Sequence, residues 1–138
     1  LDELKAWFGE AHFRERQLIC GDFNIAPHEN DVWSHKQLLN VVSHTPIETQ
    51  ALDELLTGGH GWVDLVRKHV PYEQKLYSWW SYRARDWDAA DKGRRLDHIW
   101  ATRDIAEHTV AAEILRPARG WSKKPSDHVP VLARFSVA

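Results

Sequence analysis

The sequence predicts an α/β fold in which strands are interspersed with helices and the chain ends on a strand. Two segments carry apolar residues at helical spacing, several short runs are rich in apolar or β-forming residues, and Gly, Pro, Asp and Asn separate the runs. A chain of 138 residues is long enough for one domain that buries about two thirds of its unfolded surface. There is no internal repeat or low-complexity linker, so residues 1–138 are predicted to be a single domain or part of one.

The helical spacing predicts two helices. Leu1–Arg16 carries apolar residues close to the i, i+3, i+4, i+7 pattern of an amphipathic helix. Ile47–Leu56 has its large apolar residues on one helical side, and the glycines that begin at Gly58 end it. The Pro-interrupted segment Ala26–Asn40 is predicted to be mainly loop, with room for a short helix within Val32–Asn40.

The β-rich runs lie between these helices and along the second half of the chain. Residues 84–93 are polar and predict a turn within this region. Within the aromatic run, Trp79 and Trp80 are adjacent and should face opposite sides of a strand, with Trp80 in the core. The predicted runs are 18–20, the short apolar stretch 62–69, the aromatic strand 75–83, and the runs 94–102, 109–115 and 129–137.

Composition limits the classes of protein that remain. Hydrophobic residues make up 43% and charged residues 28% of the chain, and no apolar run is long enough to span a bilayer or to form a signal peptide. A single cysteine, Cys20, cannot form an internal disulfide, and a cytoplasmic location is expected. The formal charge is −2, so nucleic acid would have to bind through a local basic patch rather than the overall field.

Carboxylate, amide and imidazole side chains lie at or near the ends of three predicted strands: Asp22 and Asn24, then Asp97, then Asp127 and His128. Strand ends converge at the edges of sheets, so these residues can form one cleft. Carboxylates bind a hard divalent cation, a general base activates water, and an amide orients the water or a phosphate. The set therefore predicts metal-assisted hydrolysis of a phosphodiester.

Each of these residues also has a structural interpretation. Asp22 and Asn24 are typical of an Asx turn that ends a strand. Asp97 has salt-bridge partners at hand in Arg94–Arg95, and His128 has a carboxylate as its sequence neighbour. The catalytic interpretation is favoured because the structural interpretation would have to hold for three separate clusters at once.

Four motifs occur in the order and approximate spacing of one enzyme family: GDFN at 21–24, YSWWSYR at 77–83, RRLDHIW at 94–100 and KPSDHVPV at 124–131. This frame resembles the exonuclease III and apurinic-endonuclease family, part of the endonuclease/exonuclease/phosphatase superfamily. The resemblance implies a DNase-like fold, a two-sheet α/β sandwich with mixed and antiparallel strands flanked by helices. The chain would be the C-terminal part of such a sandwich, since nothing in it matches the family's earlier half.

The resemblance implies a role for each catalytic candidate. Asp22 matches the aspartate that deprotonates the attacking water, and Asn24 the asparagine that holds the water or the scissile phosphate. His128 matches the histidine that stabilises charge on the phosphate, and Asp97 the carboxylate that orients this histidine. Asp127 matches a carboxylate at or near the metal ion, which would be Mg²⁺ or Mn²⁺.

The same resemblance implies a substrate site for DNA with an abasic nucleotide or a 3′ end. Trp79 and Leu96 match positions that line a small apolar pocket for a flipped-out abasic sugar, which a base cannot enter. Arg94 and Arg95 are expected to contact substrate phosphates. Other basic residues would extend this surface, although neighbouring acids could instead form a salt-bridged loop with them: Arg83, Arg85, Lys92, Lys123 and Lys124.

The expected function is that of a DNA-repair nuclease with 3′-to-5′ exonuclease and abasic-site endonuclease activity. Since the family's earlier half supplies its main metal-binding glutamate, this chain alone is expected to be weakly active or inactive, to need a partner half, and to self-associate through exposed apolar surface. Two alternatives stay open: a phosphatase or phosphodiesterase acting on a small or lipid substrate, and an inactive remnant that only binds nucleic acid or protein.

Overall fold

A computed structural model describes residues 1–10, 14–58 and 61–137. The described part contains these helices: α1 Asp2–Phe8, α2 His35–Leu38, α3 Pro46–Thr57, α4 Leu65–His69, α5 Trp87–Ala90 and α6 Arg103–Ala106. It contains these strands: β1 Leu18–Asp22, β2 Trp62–Asp64, β3 Trp79–Trp80, β4 Gly93–Arg94, β5 Asp97–Thr102, β6 Thr109–Ile114 and β7 Val131–Phe135. Short 3-10 turns cover Glu29–Asp31 and Arg116–Gly120.

The largest sheet has three antiparallel strands with β5 in the centre, between β1 and β2. In its register Leu18 lies opposite Ala101, and Asp22 lies opposite Asp97. Directly opposed residues of antiparallel strands lie on the same face of the sheet. The register therefore brings two of the predicted site residues together at one end of the sheet.

Two smaller antiparallel pairs, β3 with β4 and β6 with β7, complete the strands of the described chain. Isolated bridges extend the first pair on both sides, because Val32 pairs with Arg94 and Trp79 pairs with His128. Four chain segments thus lie side by side in the order Val32, Arg94, Trp79, His128. This row carries the carboxyl-terminal Asp-His motif next to the aromatic segment.

Both faces of the central sheet are covered. Trp100 on one face packs with Trp62 and with Phe8 of α1, whose ring lies 5.3 Å from that of Trp62. Ala101, the next residue along β5, points to the other face and packs with Leu65 of α4. Residues of β7 also cover this second face, so the sheet is sandwiched between helices and the β6–β7 pair.

Capping residues explain where α3 begins and ends. The Thr45 side chain caps the first turn, and the Glu48 carboxylate accepts hydrogen bonds from both the backbone and the hydroxyl of Thr45. Pro46 occupies the first turn, where its missing N–H costs nothing. The helix ends at Gly58, so the predicted second helix is confirmed with slightly wider bounds.

Four sequence-based element predictions needed correction, three of which follow here. The first helix ends at Phe8 rather than Arg16, and Arg16 has a positive φ of 54° that no helix allows; residues 11–13 of that prediction lie outside the described residues. The aromatic strand is only Trp79–Trp80, and α5 lies within the predicted turn at 84–93. Strands 18–20, 109–115 and 129–137 are confirmed in kind as β1, β6 and β7.

The predicted strand 94–102 is divided into β4 and β5. The reason is a side chain: the Ser78 hydroxyl accepts hydrogen bonds from the backbone N–H groups of Leu96 (2.9 Å) and Asp97 (3.0 Å). These donors therefore need no strand partner, and the ladder is interrupted there. Within the described ranges, no helix is both long and apolar enough to cross a membrane.

Candidate active site

Three predicted site residues meet at one end of the central sheet. His128 lies between two carboxylates: its Nδ1 is 2.8 Å from Asp97 Oδ2, and its Nε2 is 3.8 Å from Asp22 Oδ2. One ligand atom from each of the three residues lies within 4.8 Å of the others. The imidazole is thus held on one side by Asp97 and faces Asp22 on the other.

Asp22 is the last residue of β1, and a turn sets the direction of its carboxylate. Its Oδ1 accepts a hydrogen bond of 2.9 Å from the backbone N–H of Asn24, whose φ is +53°. This is the Asx turn that the GDFN motif also predicted. The turn and the catalytic geometry are compatible, because Oδ1 is used by the turn while Oδ2 faces His128.

Asp97, the first residue of β5, does not form the salt bridge with Arg94 or Arg95 that was its structural alternative. Its Oδ2 instead accepts hydrogen bonds from Ser78 Oγ at 2.7 Å and from the His128 ring. Ser78 is completely buried, and its hydroxyl also holds the backbone of residues 96 and 97. Ser78 is therefore a positioning residue that the sequence-based prediction missed, since a lone serine in an aromatic run carries no distinctive signal.

His128 is placed by the backbone around it. The carbonyl of Ser78 accepts a bond of 2.9 Å from the N–H of Val129, and the N–H of His128 bonds to Ser126 Oγ at 3.1 Å. Burial alone would lower the pKa of His128, but the hydrogen bond that the ring donates to Asp97 and the charges of the nearby carboxylates outweigh it and raise the pKa above 6.5. About a third of the side chain stays accessible, so the ring can contact a substrate.

Asp127, which was predicted to be a carboxylate at the metal, contacts the aromatic segment. Its Oδ2 accepts a hydrogen bond of 3.0 Å from the indole Nε1 of Trp79, and its carbonyl accepts one from the N–H of Trp80. Asp127 is not in the cluster of potential metal ligands that the described residues form. The neighbouring residues Asp127 and His128 thus contact different partners, Trp79 and Asp97.

The cluster offers a site for a divalent cation. Asp22 is its most accessible member, with 37% of its side chain exposed, while Asp97 already accepts two hydrogen bonds. Mg²⁺ takes oxygen ligands and keeps several waters, so one well-placed carboxylate suits it. The oxygen donors of this acidic cluster fit such an ion.

An aromatic and apolar surface adjoins the cluster. Trp79 is partly buried and packs against a core group that contains Leu96, which is 6% exposed. Trp80 is 1% exposed and lies in a separate core group, which confirms that the two tryptophans face opposite ways. Both predicted pocket residues, Trp79 and Leu96, therefore belong to one apolar surface next to His128.

The two neighbouring arginines have different surroundings. Arg95 is completely buried and bonds to Asp31 and Asp64 at 2.8 Å each, so the prediction that it contacts substrate was wrong: it has no accessible surface. Arg94 is partly buried, and its guanidinium carbon lies 5.5 Å from the ring centroid of Trp79. Only Arg94 of this pair lies at the aromatic surface.

Arg95 belongs to a buried ionic network that the sequence did not reveal. Asp31 accepts hydrogen bonds from Arg95 and, at 2.6 Å, from Arg67, and all of these side chains are buried. Burial alone would raise the pKa of Asp31, but Arg95 and Arg67 outweigh it and hold the pKa at about 2. The network anchors the segment that leads into Asp97, because Arg95 N also bonds to Asp31 O at 2.8 Å.

Cations near the aromatic segment remain mostly unpaired with its acids. Asp88 and Asp91, which could have neutralised Arg83, Arg85 or Lys92, both bond to Arg116 instead. The three cations line part of a groove of about 680 Å³ beside Trp80 and Trp87. Lys123 and Lys124 are exposed near the Asp-His motif. The salt-bridged loop that was the alternative is therefore not what these cations form.

The chain is similar to known proteins over most of its length. The Endonuclease/Exonuclease/phosphatase family matches residues 1–128. Exodeoxyribonuclease III of Haemophilus influenzae is 34% identical over 140 residues, which cover 96% of this chain and 51% of that protein. The structure of an AP endonuclease from Archaeoglobus fulgidus superposes with a TM-score of 0.88 at 32% identity, covering 99% of this chain and 53% of that one.

A second solved structure contains DNA. The 3′ phosphatase NExo from Neisseria, bound to a product DNA hairpin, superposes with a TM-score of 0.79 at 29% identity, covering 87% of this chain and 45% of that one. The chain thus spans about half the length of the proteins it matches. The predicted DNase-like α/β fold is confirmed for the part that aligns.

Proposed function

Because the chain belongs to the endonuclease/exonuclease/phosphatase family, we propose that it carries part of the active site of a DNA-repair nuclease of the exonuclease III type. The reaction is hydrolysis of a DNA phosphodiester, which removes nucleotides from 3′ ends and nicks DNA beside abasic sites. The observation that carries the proposal is the position of His128 between Asp97 and Asp22. The similarity to an exodeoxyribonuclease and to an AP endonuclease supports DNA as substrate.

Each residue of the cluster has a role in this proposal. Asp22 accepts the proton of the attacking water, and the Asn24 amide holds that water or the phosphate. His128, whose raised pKa keeps it protonated to higher pH than a free histidine, donates to a phosphate oxygen as negative charge develops there. Asp97 keeps the ring in place and compensates its charge. The water oxygen bonds to phosphorus, and the bond to the leaving oxygen breaks.

A divalent cation, Mg²⁺ or Mn²⁺, is the proposed cofactor. When bound it neutralises charge on the phosphate and lowers the pKa of a water molecule. Asp127 is the proposed ligand from this chain, and the remaining part of the family domain would supply further ligands. Residues 1–138 are accordingly proposed to be the C-terminal part of that domain, working in the cytoplasm with the other part as partner.

Trp79 and Leu96 are proposed to line the pocket for an abasic nucleotide. Their apolar surface lies beside His128, so a sugar without a base could be held next to the scissile phosphate. Rotating such a nucleotide out of the duplex costs little because it has no base to unstack. A small phosphate ester or a lipid would leave this aromatic surface and the neighbouring cations without a partner.

The proposal is tested by comparing binding and turnover. The 138-residue chain, alone and together with the remaining half from the Haemophilus relative, is assayed with Mg²⁺ on a 3′-labelled duplex and on an abasic duplex. Turnover by the chain alone should be weak. Turnover by the chain together with the partner half should fall about 10² to 10⁴-fold in Asp22→Asn and His128→Ala. DNA binding should persist in both variants.

Unchanged turnover in both variants would remove Asp22 and His128 from the mechanism. Binding without turnover, in every combination of chain and partner half, would favour the inactive nucleic-acid-binding remnant. Faster hydrolysis of a phosphoinositide than of abasic DNA would favour the phosphatase alternative.

A further inference from the structure

We propose that Arg94 binds a second phosphate of the substrate strand, next to the phosphate that is hydrolysed. The inference rests on the proposed function, since it assumes that a nucleic acid occupies the site. It adds an anion subsite on the far side of Trp79 from His128, and it makes Arg94 a specificity residue for a charged backbone.

The first argument is that Arg94 is a partly buried cation without a counter-charge. Its Nη1 donates to the carbonyl of Val42 at 3.0 Å and to Ser43 Oγ at 2.9 Å, and both acceptors are neutral. Among the residues the structure describes, no carboxylate forms a salt bridge with it. Burial lowers its pKa, and no neighbouring negative charge offsets this effect.

The neighbouring Arg95 is an example of a structural arginine in this chain. Arg95 is bonded to the carboxylates of Asp31 and Asp64, and these charges outweigh burial and raise its pKa. Buried charges in proteins are normally paired in this way. Arg94 departs from that rule one residue earlier in the sequence, so its anion is expected to come from outside the chain.

The second argument is an unused donor. Arg94 Nε is shielded from solvent and has no hydrogen-bond partner in the described part of the protein. A buried donor left unpaired is rare and costly. Because Nε lies out of reach of a ligand, the guanidinium can be compensated only on its accessible side, by an anion such as phosphate and not by a neutral sugar.

The third argument is location. Arg94 and His128 are both strand partners of Trp79, so the backbones of the three residues lie side by side in one row. Two strand spacings separate the Cα atoms of Arg94 and His128 by about 10 Å. The guanidinium lies 5.5 Å from the Trp79 ring centroid, beside the proposed sugar pocket. A strand with one phosphate at His128 can therefore bring a neighbouring phosphate to Arg94.

Stacking on Trp79 does not by itself explain Arg94. A cation over an aromatic ring is favourable, but such contacts occur at fully solvated surface sites and need no burial of the guanidinium. Here the ring orients the guanidinium and excludes water from one side. Both effects strengthen an interaction with an anion.

The test is equilibrium binding of the 138-residue chain to abasic duplexes in which single phosphates are replaced by uncharged methylphosphonates. Binding is measured by fluorescence anisotropy with EDTA, so that no hydrolysis is required. The wild-type chain should bind about tenfold more weakly when one specific phosphate beside the abasic site is neutralised. Arg94→Gln should lose the sensitivity to this one phosphate and should have a salt dependence reduced by about 0.9 in log K per log salt.

The matched control is Arg134→Gln on β7, an exposed arginine six residues beyond His128. It should keep the wild-type pattern of sensitivity to neutralised phosphates. Thermal unfolding of both variants, followed by circular dichroism, checks that they remain folded.

The proposal is overturned if Arg94→Gln retains the wild-type sensitivity at every phosphate, or if the folded wild-type chain binds no duplex. A different result separates the two proposals. If binding depends on one phosphate through Arg94 but the nuclease assay shows no turnover, the proposed function is contradicted and the Arg94 subsite is retained.

Discussion

Ser78 Oγ lies 2.7 Å from Asp97 Oδ2, and this carboxylate oxygen also faces His128 Nδ1 at 2.8 Å. Two donors thus share one acceptor in the middle of the candidate site. Because the hydroxyl also accepts from the N–H groups of residues 96 and 97, its position follows from the backbone. Ser78 connects the end of β5 to the segment that carries His128.

Replacement of Ser78 should change the titration of His128. In Ser78→Ala, the negative charge of Asp97 is no longer shared with the hydroxyl, so the pKa of His128 should rise further above its ordinary value. The variant should also lose about 1–3 kcal/mol of stability, since two buried N–H groups lose their acceptor. NMR titration of the His128 ring measures its pKa. Ser78→Thr keeps the hydroxyl and should return this pKa to the wild-type value. An unchanged His128 pKa would show that Ser78 is only structural.

Removal of the Asp97 charge should act in the opposite direction. Burial lowers the pKa of His128, and the hydrogen bond and charge of Asp97 are the largest opposing effects. Asp97→Asn should therefore lower the pKa of His128, as measured by NMR. Asp127→Asn is the matched control and should lower it less, because Asp127 contributes only its charge and is the smallest cause.

The raised pKa of His128 also predicts a pH dependence of stability. The folded pKa lies above the unfolded value of 6.5, so the folded state binds the proton more tightly. This contribution to stability is fully present below pH 6.5 and is lost as the pH rises through the folded pKa. Urea midpoints measured from pH 6 to 8.5 should show a smaller decline in Asp97→Asn than in the wild-type chain.

His98 predicts the reverse sign at lower pH. Burial, followed by the charge of Arg95, lowers its pKa to about 4, while the unfolded value is 6.5. Its stabilising contribution is therefore complete above pH 6.5 and is lost as the pH falls toward 4, by an amount on the order of 3 kcal/mol. His98→Gln should flatten the urea midpoints between pH 7 and 4.5, whereas the exposed His108→Gln should not. If the urea midpoints of both variants depend equally on pH, His98 is not the source of this pH dependence.

The buried ionic network should be intolerant of single changes. Asp31→Asn removes the charge shared by Arg67 and Arg95, so the free energy of unfolding should fall by about 3–5 kcal/mol. Asp88→Asn breaks an exposed pair with Arg116 and should cost at most about 1 kcal/mol. Urea denaturation measures both, and similar losses in the two variants would mean that the buried network contributes no more than a surface pair.

Exposed apolar surface predicts that the chain associates with itself. Leu18 is 46% exposed on β1, a strand with no partner on its outer side in the described sheet, and Val137 is 90% exposed. Both line a groove of about 520 Å³ together with Phe135. Sedimentation should detect dimers or larger species at micromolar concentration, and Leu18→Lys should shift them toward monomer. A monomeric wild-type chain would contradict this prediction.

The sequence patterns predicted most helices and strands because the formation of these elements depends on local chemistry. The helical spacing and the glycines that begin at Gly58 predicted α3, and the β-rich runs predicted β6 and β7. The aromatic strand was predicted too long because only Trp79 and Trp80 find a partner strand, and pairing is a tertiary event. The motifs also predicted that Asp22, Asp97 and His128 belong to one site.

The partners of individual side chains could not be predicted in the same way. Asp97 is separated by 31 positions from His128 and is much nearer in sequence to Arg94 and Arg95, yet it bonds to the histidine. Likewise, the sequence contains no sign that Asp127 turns to Trp79. Both outcomes follow from which face of each strand the rest of the chain covers.

By itself, the sequence determined which residue types lie at the strand ends and therefore which chemistry is available: three carboxylates, an amide and an imidazole. Only the tertiary structure decided that Arg95 is buried between Asp31 and Asp64 while Arg94 remains at the cleft without a counter-charge. The physical reason is that neighbouring residues in extended chain face opposite sides, and only packing determines which side is the core.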